Sequence, residues 1–119
     1  PPVTCRIGEL NQVFMNVLVN AIQSLESDPP SGAPPRIRIT TALESDLASI
    51  AFEDNGPGIS EAISRRVFDP FFTTKPRGQG TGLGLSISTD IVRRHGGTLS
   101  HEPARPHGAR FVCRVPVSG

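Results

Sequence analysis

The chain has no tryptophan and no tyrosine, one methionine, two cysteines and, beside eleven arginines, a single lysine, Lys75. Each shortage narrows the possibilities. Phenylalanine supplies all six aromatic residues. Cys5 and Cys113 are too few for a disulfide framework. Both fall in strand-like runs and read as small core residues of a reducing cytoplasm. His95, His101 and His107 are evenly spread, with no cysteine beside them, which is not the spacing of a metal site. No apolar run approaches the roughly 18 residues of a membrane span. Pro1-Pro2-Val3-Thr4-Cys5 is no signal peptide. A net charge of +1 calls for neither nucleic acid nor a membrane surface. The 119 residues allow one domain with one core. Because the chain opens on a strand-like run, it reads as a piece of a larger protein, spanning 1–119 as one unit.

What is present is periodic. Leu10, Val13, Phe14, Val17, Leu18, Ala21, Ile22 and Leu25 recur at three- and four-residue steps, predicting a helix over 9–27 with one apolar face. The proline-rich run 28–35 stops it. Strands are expected over 3–6, 36–41, 47–53, 98–101 and 109–115, with Glu44-Ser45-Asp46 as a turn. A short helix over 61–67 has Ser60 as its N-cap. Residues 70–80, rich in Pro and Gly, read as a loop. A second long helix over 82–95 puts Leu83, Ile87, Ile91 and Val92 on its apolar side and ends at Gly96-Gly97. Interleaved helices and hairpins favour an α+β fold, a two-layer α/β sandwich with helices on one face of a mixed sheet.

Three clusters carry chemistry. Asn16 and Asn20 lie four apart and share a helix face. Amide oxygens suit Mg²⁺, although two solvated polar positions would look the same. Asp54 ends a strand and precedes Asn55-Gly56-Pro57-Gly58. Its carboxylate can accept from the exocyclic amine of adenine and repel the carbonyl of guanine, while the glycines let a ring lie on bare backbone. A plain turn uses the same residues. Gly80, Gly82 and Gly84 open a helix, where backbone N–H groups and the dipole favour an anion. The run fits neither the P-loop nor the dinucleotide fingerprint and by itself is weak.

Taken in order with Phe68-Asp69-Pro70-Phe71-Phe72-Thr73-Thr74-Lys75, these clusters resemble the catalytic, ATP-binding domain of bacterial sensor histidine kinases, in the gyrase/chaperone/kinase/MutL-type ATPase superfamily. The likeness spans nearly the whole chain and leans towards the nitrogen-regulation sensors, whose lid carries a Phe-Phe-Thr-Thr-Lys run. The resemblance implies a Bergerat-type fold with a flexible ATP lid, and ATP and Mg²⁺ as cofactors. Asn20 matches the metal-binding asparagine, with Asn16 a turn earlier. Asp54 matches the adenine-binding aspartate, with Gly56, Gly58 and Ile59 beside the base. Phe68, Phe71, Phe72, Thr73 and Thr74 match the lid. Gly80, Thr81, Gly82, Leu83 and Gly84 match the phosphate side.

The chain departs from that pattern at Gln23 and Ser24, where many relatives carry a lysine and a base-stacking tyrosine. Lys75, supported by Arg77, is the expected substitute for the lysine; a solvated lid charge is the plain alternative. Where hydrolytic relatives place a glutamate base, this chain has Asn16, which cannot take a proton near pH 7. That favours phosphoryl transfer over hydrolysis, so Asn16, Asn20 and Lys75 are the expected catalytic set. The expected partners are a histidine-containing dimerisation domain, absent from this chain, and a cognate response regulator. The fragment is expected to be a monomer of a homodimeric parent, and a cytoplasmic domain whether or not that parent is membrane-anchored. An N-terminal strand that usually opens the family's sheet reads as missing, leaving an exposed edge. An anti-sigma-factor-type serine kinase, or a module that binds nucleotide without catalysis, is the alternative.

Overall fold

The computed structural model describes residues 7–30, 32–66, 68–69, 84–104 and 107–116. Helix α1 runs from Ile7 to Ser27. Its apolar stripe buries Leu10, Val13, Val17, Ala21 and Leu25, with Phe14 and Leu18 packed at the margin. Ile22, expected on that stripe, is 46% exposed. It instead lines a groove of about 430 Å³ with Leu25, Pro29, Pro35 and Ile37.

Strands β1 (Ile37–Glu44) and β2 (Leu47–Asp54) form a hairpin about Ser45, whose φ of 54° suits a two-residue turn. A single turn, α2 (Glu61–Ser64), follows, and Ser60 Oγ accepts from Ile63 N at 3.3 Å as expected of an N-cap. Helix α3 (Gly84–Arg94) leads to β3 (Thr98–Pro103) and β4 (Ala109–Pro116). It ends in a Schellman motif: Gly96 N reaches Arg93 O and Gly97 N reaches Val92 O, with Gly96 at φ +77°.

The sheet order is β1-β2-β4-β3. Its α+β character is as expected, but its described strands are antiparallel at every pairing, not mixed. The physical reason is that β1–β2 and β3–β4 are hairpins, and β4 returns beside β2 without the crossover a parallel pair needs. The expected strand over 3–6 lies outside the described residues. One row across the sheet, Ile39, Phe52, Phe111 and His101, faces the helices. Phe14 packs on Phe52 with the rings tilted, centroids 5.8 Å apart, and Phe68 meets Phe111 edge-on at 6.0 Å. The opposite face carries Arg38, Glu53, Arg110 and Glu102 in one row, joined by Arg110 Nε to Glu102 at 2.7 Å.

Helix α3 corrects a third expectation. Ile87 is 38% exposed, while Ser86, Ser88 and Thr89 are buried with Ile91 and Val92. Two of these buried hydroxyls bond locally. Ser88 Oγ donates to Gly84 O at 2.8 Å and Thr89 Oγ1 to Leu85 O at 2.9 Å. Small side chains that bond backward can therefore occupy the packed side of α3, and Ile87 is left outside.

Candidate nucleotide site

The site grows from the end of β2. Asp54 is 5% exposed, and its Oδ1 accepts from Gly56 N at 2.9 Å and Ala109 N at 3.4 Å. Among the described residues, both of these bonds use Oδ1 and none uses Oδ2. One oxygen is fixed by backbone and the other is presented. Gly56 completes the presentation, since a Cβ there would stand 3.1 Å from Oδ1 and 3.4 and 3.5 Å from Leu25 and Ser24 of α1. Gly58, at φ +78°, lies against Gly108 O. Ile59 packs on the core beside it.

Four residues that hold this loop escape a reading of the sequence. Asn55 Oδ1 accepts from Arg36 N at 2.7 Å and its Nδ2 donates to Pro34 O at 2.9 Å, tying the loop to the start of β1. Its place between a strand and a glycine was the available signal. His107 Nδ1 donates to Gly56 O at 3.2 Å. Gly108 packs so tightly on the Asp54 carbonyl that no Cβ fits. Ala109 lends its N–H. No local signal marks these last three, because they arrive from the β3–β4 hairpin. His101 neighbours Phe111 at 5.2 Å. Burial lowers its pKa from the usual histidine value, against the upward pull of Asp54 and Glu102.

The second half of the site is the junction of α1 and α3. Asn16 Nδ2 donates to Gly84 O at 3.2 Å and to Ser88 Oγ at 3.1 Å. Ser88 is completely buried. Helix α1 thus meets the Asp54 loop through Ser24 and Leu25 and the start of α3 through Asn16. Eight residues, about 12 Å of helix, separate Asn16 from Ser24. Half-buried Asn20 stands midway. Of the expected site residues, the fold joins Asn16 to Gly84 and sets Asp54, Gly56, Gly58 and Ile59 in one loop, with Asn20 on α1 between the two. Phe72, Thr73, Thr74, Lys75, Gly80, Thr81, Gly82 and Leu83 lie outside the described residues.

The profile of the family described as histidine kinase-, DNA gyrase B- and HSP90-like ATPase matches residues 6–119. The chain belongs to this ATPase family. The acceptor at Asp54 and the glycine-backed loop are therefore parts of an ATP-binding domain of the histidine-kinase type. The two-component sensor PprA of Pseudomonas aeruginosa is 42% identical over 112 residues, which cover 92% of this chain and 12% of that protein. The signal transduction histidine-protein kinase AtoS of Escherichia coli K12 is 40% identical over 118 residues, covering 98% of this chain and 18% of that protein. The chain thus spans less than a fifth of either sensor's length. Among solved structures, the catalytic domain of histidine kinase ThkA in a nucleotide-free form superposes with a TM-score of 0.81 at 33% identity, covering 98% of this chain and 73% of that one. These names do not carry the narrower likeness to nitrogen-regulation sensors.

The residues fit the family's nucleotide. A bare-backbone glycine beside a half-occupied carboxylate suits a planar base with an exocyclic amine. The spacing along α1 suits a ligand with a base at one end and phosphates at the other. Among the described residues no cluster of three or more His, Cys, Asp and Glu could hold a metal. No described helix is long and apolar enough to cross a membrane.

Proposed function

We propose that this domain binds Mg²⁺-ATP and donates the γ-phosphate to a histidine on a separate dimerisation domain of the same sensor kinase, for onward transfer to a response regulator. Asp54 Oδ2 accepts from the adenine amine, and Gly56, Gly58 and Ile59 wall the base. The amide oxygens of Asn20 and Asn16 hold Mg²⁺, which neutralises phosphate charge when bound. Backbone N–H groups of Gly80, Thr81, Gly82, Leu83 and Gly84 receive the phosphates. Phe72, Thr73, Thr74 and Lys75 close over them, with Lys75 supplying the cation. The parent is proposed to be a homodimer, with this domain a monomeric unit on the cytoplasmic side, where ATP and a response regulator are found.

The observation that carries the choice of kinase over hydrolase is Asn16. In hydrolytic relatives a glutamate at this position activates water. Here an amide stands there, and its nitrogen is committed to Gly84 O and Ser88 Oγ. Loss of a general base typically forfeits about 10²–10⁴ in rate, so the γ-phosphate is protected from water. A neutral imidazole needs no base, because one ring nitrogen already carries a lone pair. That lone pair forms the new N–P bond while the bond to the β–γ bridging oxygen breaks and ADP leaves. The protein supplies positioning and charge neutralisation, which phosphoryl transfer mostly requires.

The test is incubation with γ-labelled ATP and a histidine-containing dimerisation domain. Label that is acid-labile and base-stable on the added domain is expected, together with slow hydrolysis by the chain alone. Acid-stable label would point to the serine-kinase reading. Nucleotide binding without any transfer would point to a non-catalytic module. Fast hydrolysis by the chain alone would overturn the assignment of Asn16.

A further inference from the structure

The contact between Asn16 and α3 spans 68 to 72 residues of sequence, and the proposed mechanism uses only the oxygen of that side chain. From its nitrogen we infer that Asn16 is also a positioning residue, which locks the first turn of α3 against α1 and so sets where the phosphate-side backbone stands relative to the base pocket. This rests on the reading of α3 as the phosphate-side helix.

Three hydrogen bonds form a closed triangle. Asn16 Nδ2 donates to Gly84 O and to Ser88 Oγ, and Ser88 Oγ donates to the same Gly84 O. Ser88 is sealed from solvent, so a lost partner there is not replaced by water at no cost. The triangle fixes the amide orientation, because both neighbours of Nδ2 act as acceptors. The Asn16 side chain also faces Gly84, with its Cγ 3.9 Å from where a Cβ would be. The base pocket is anchored to the same helix through Ser24 and Leu25. Helix α1 is therefore a ruler with the base loop at one end and the start of α3 fastened at Asn16. Releasing Asn16 frees the phosphate end without touching the base end.

The test separates this role from metal ligation and from general damage. Asn16→Ala, Ser88→Ala and the double variant are compared. In the nucleotide-free chain, hydrogen exchange at the amides of the first turns of α3 is expected to quicken by about tenfold in each single variant, with exchange in β2 and β4 unchanged. The double variant should add little to either single one, since both break one triangle. In Ser88→Ala, which keeps both proposed metal ligands, ATP affinity should fall by a similar factor with Mg²⁺ and in EDTA alike, while adenosine affinity stays within about twofold. Asn16→Gln, which keeps the donor at a longer reach, should recover part of the protection. Unchanged α3 exchange, additive effects of the two substitutions on it, or an affinity loss in Ser88→Ala confined to Mg²⁺ would each overturn the inference. Failure of the wild-type chain to bind ATP would instead strike at the nucleotide reading, and the exchange measurement would still decide the clamp.

Discussion

Asp54→Asn should do more than weaken the nucleotide; it should change which base is preferred. Two backbone donors, Gly56 N at 2.9 Å and Ala109 N at 3.4 Å, converge on Oδ1. An asparagine at this position therefore keeps its carbonyl oxygen towards them, since the opposite flip would set N–H against N–H. Its NH₂ then occupies the place of Oδ2, the oxygen presented to the base. The adenine amine loses an acceptor carrying charge, worth about 1.5–3 kcal/mol, and meets a donor instead, which leaves both groups unsatisfied. A net penalty of about 3 kcal/mol corresponds to roughly a hundredfold loss of ATP affinity. Guanine presents a carbonyl at the same place, so GTP should gain relative to ATP by more than that factor. The two backbone bonds survive with a neutral acceptor, at a cost of about 1 kcal/mol in stability. In a domain of this size that is roughly 4 °C in Tm, small enough to leave the variant folded at 25 °C. Calorimetric titration with ATP and GTP analogues, beside a thermal melt, reads all three quantities. ATP affinity within threefold of the parent, or equal losses for both bases, would refute the reasoning.

Three further outcomes follow from other parts of the chain. Lys75→Ala should weaken ATP several-fold and leave adenosine unchanged by the same titration, and equal losses would remove Lys75 from the phosphate site. Gly58→Ala should cost about 2–3 kcal/mol in chemical denaturation, combining a φ of +78° with a Cβ only 3.0 Å from Gly108 O, whereas Gly32→Ala, at φ +80° in open space, should cost about 1 kcal/mol. Burial pushes the Cys113 thiol up to about 11 from 9.0. Its proton is held more tightly in the folded state, so this stabilisation is complete below pH 9 and is lost as pH rises towards 11. The loss is of order 3 kcal/mol, and Cys113→Ala should flatten it in denaturant melts across that range.

The parts of the fold that sequence foretold are those fixed by neighbours a few residues away. The stripe on α1, the Ser60 cap and the stop at Gly96-Gly97 each depend on contacts within one or two turns. On α3, where the structure departs from the expected apolar side, the cause is a competing local bond. Ser86, Ser88 and Thr89 look like a polar face, yet Ser88 and Thr89 return their hydroxyls to carbonyls four residues back. The packed side of α3 therefore passed to them and Ile87 moved outward. Asp54 could be picked out at its strand end. The groups that aim it could not, because Ala109 and His107 lie more than fifty residues away and announce themselves by nothing local.

Asn16 shows the same boundary from the other side. Helical spacing says that it shares a face with Asn20, but not what stands opposite that face. The fold supplies the answer, and it joins two readings that the sequence kept apart. Gly84 belongs to the glycine run expected to offer N–H groups to phosphate, and the first N–H groups of a helix have no partner within it. Its carbonyl, one residue's width away, accepts from Asn16. On the proposed reading, one glycine offers its nitrogen to the phosphates and gives its oxygen to α1. A shift of α1 relative to α3 must move the phosphate-side N–H groups with it. Because the base loop meets the same helix at Ser24 and Leu25, what a partner domain does to α1 should be read in the affinity for phosphates when it acts near Asn16 and in the affinity for the base when it acts near Ser24.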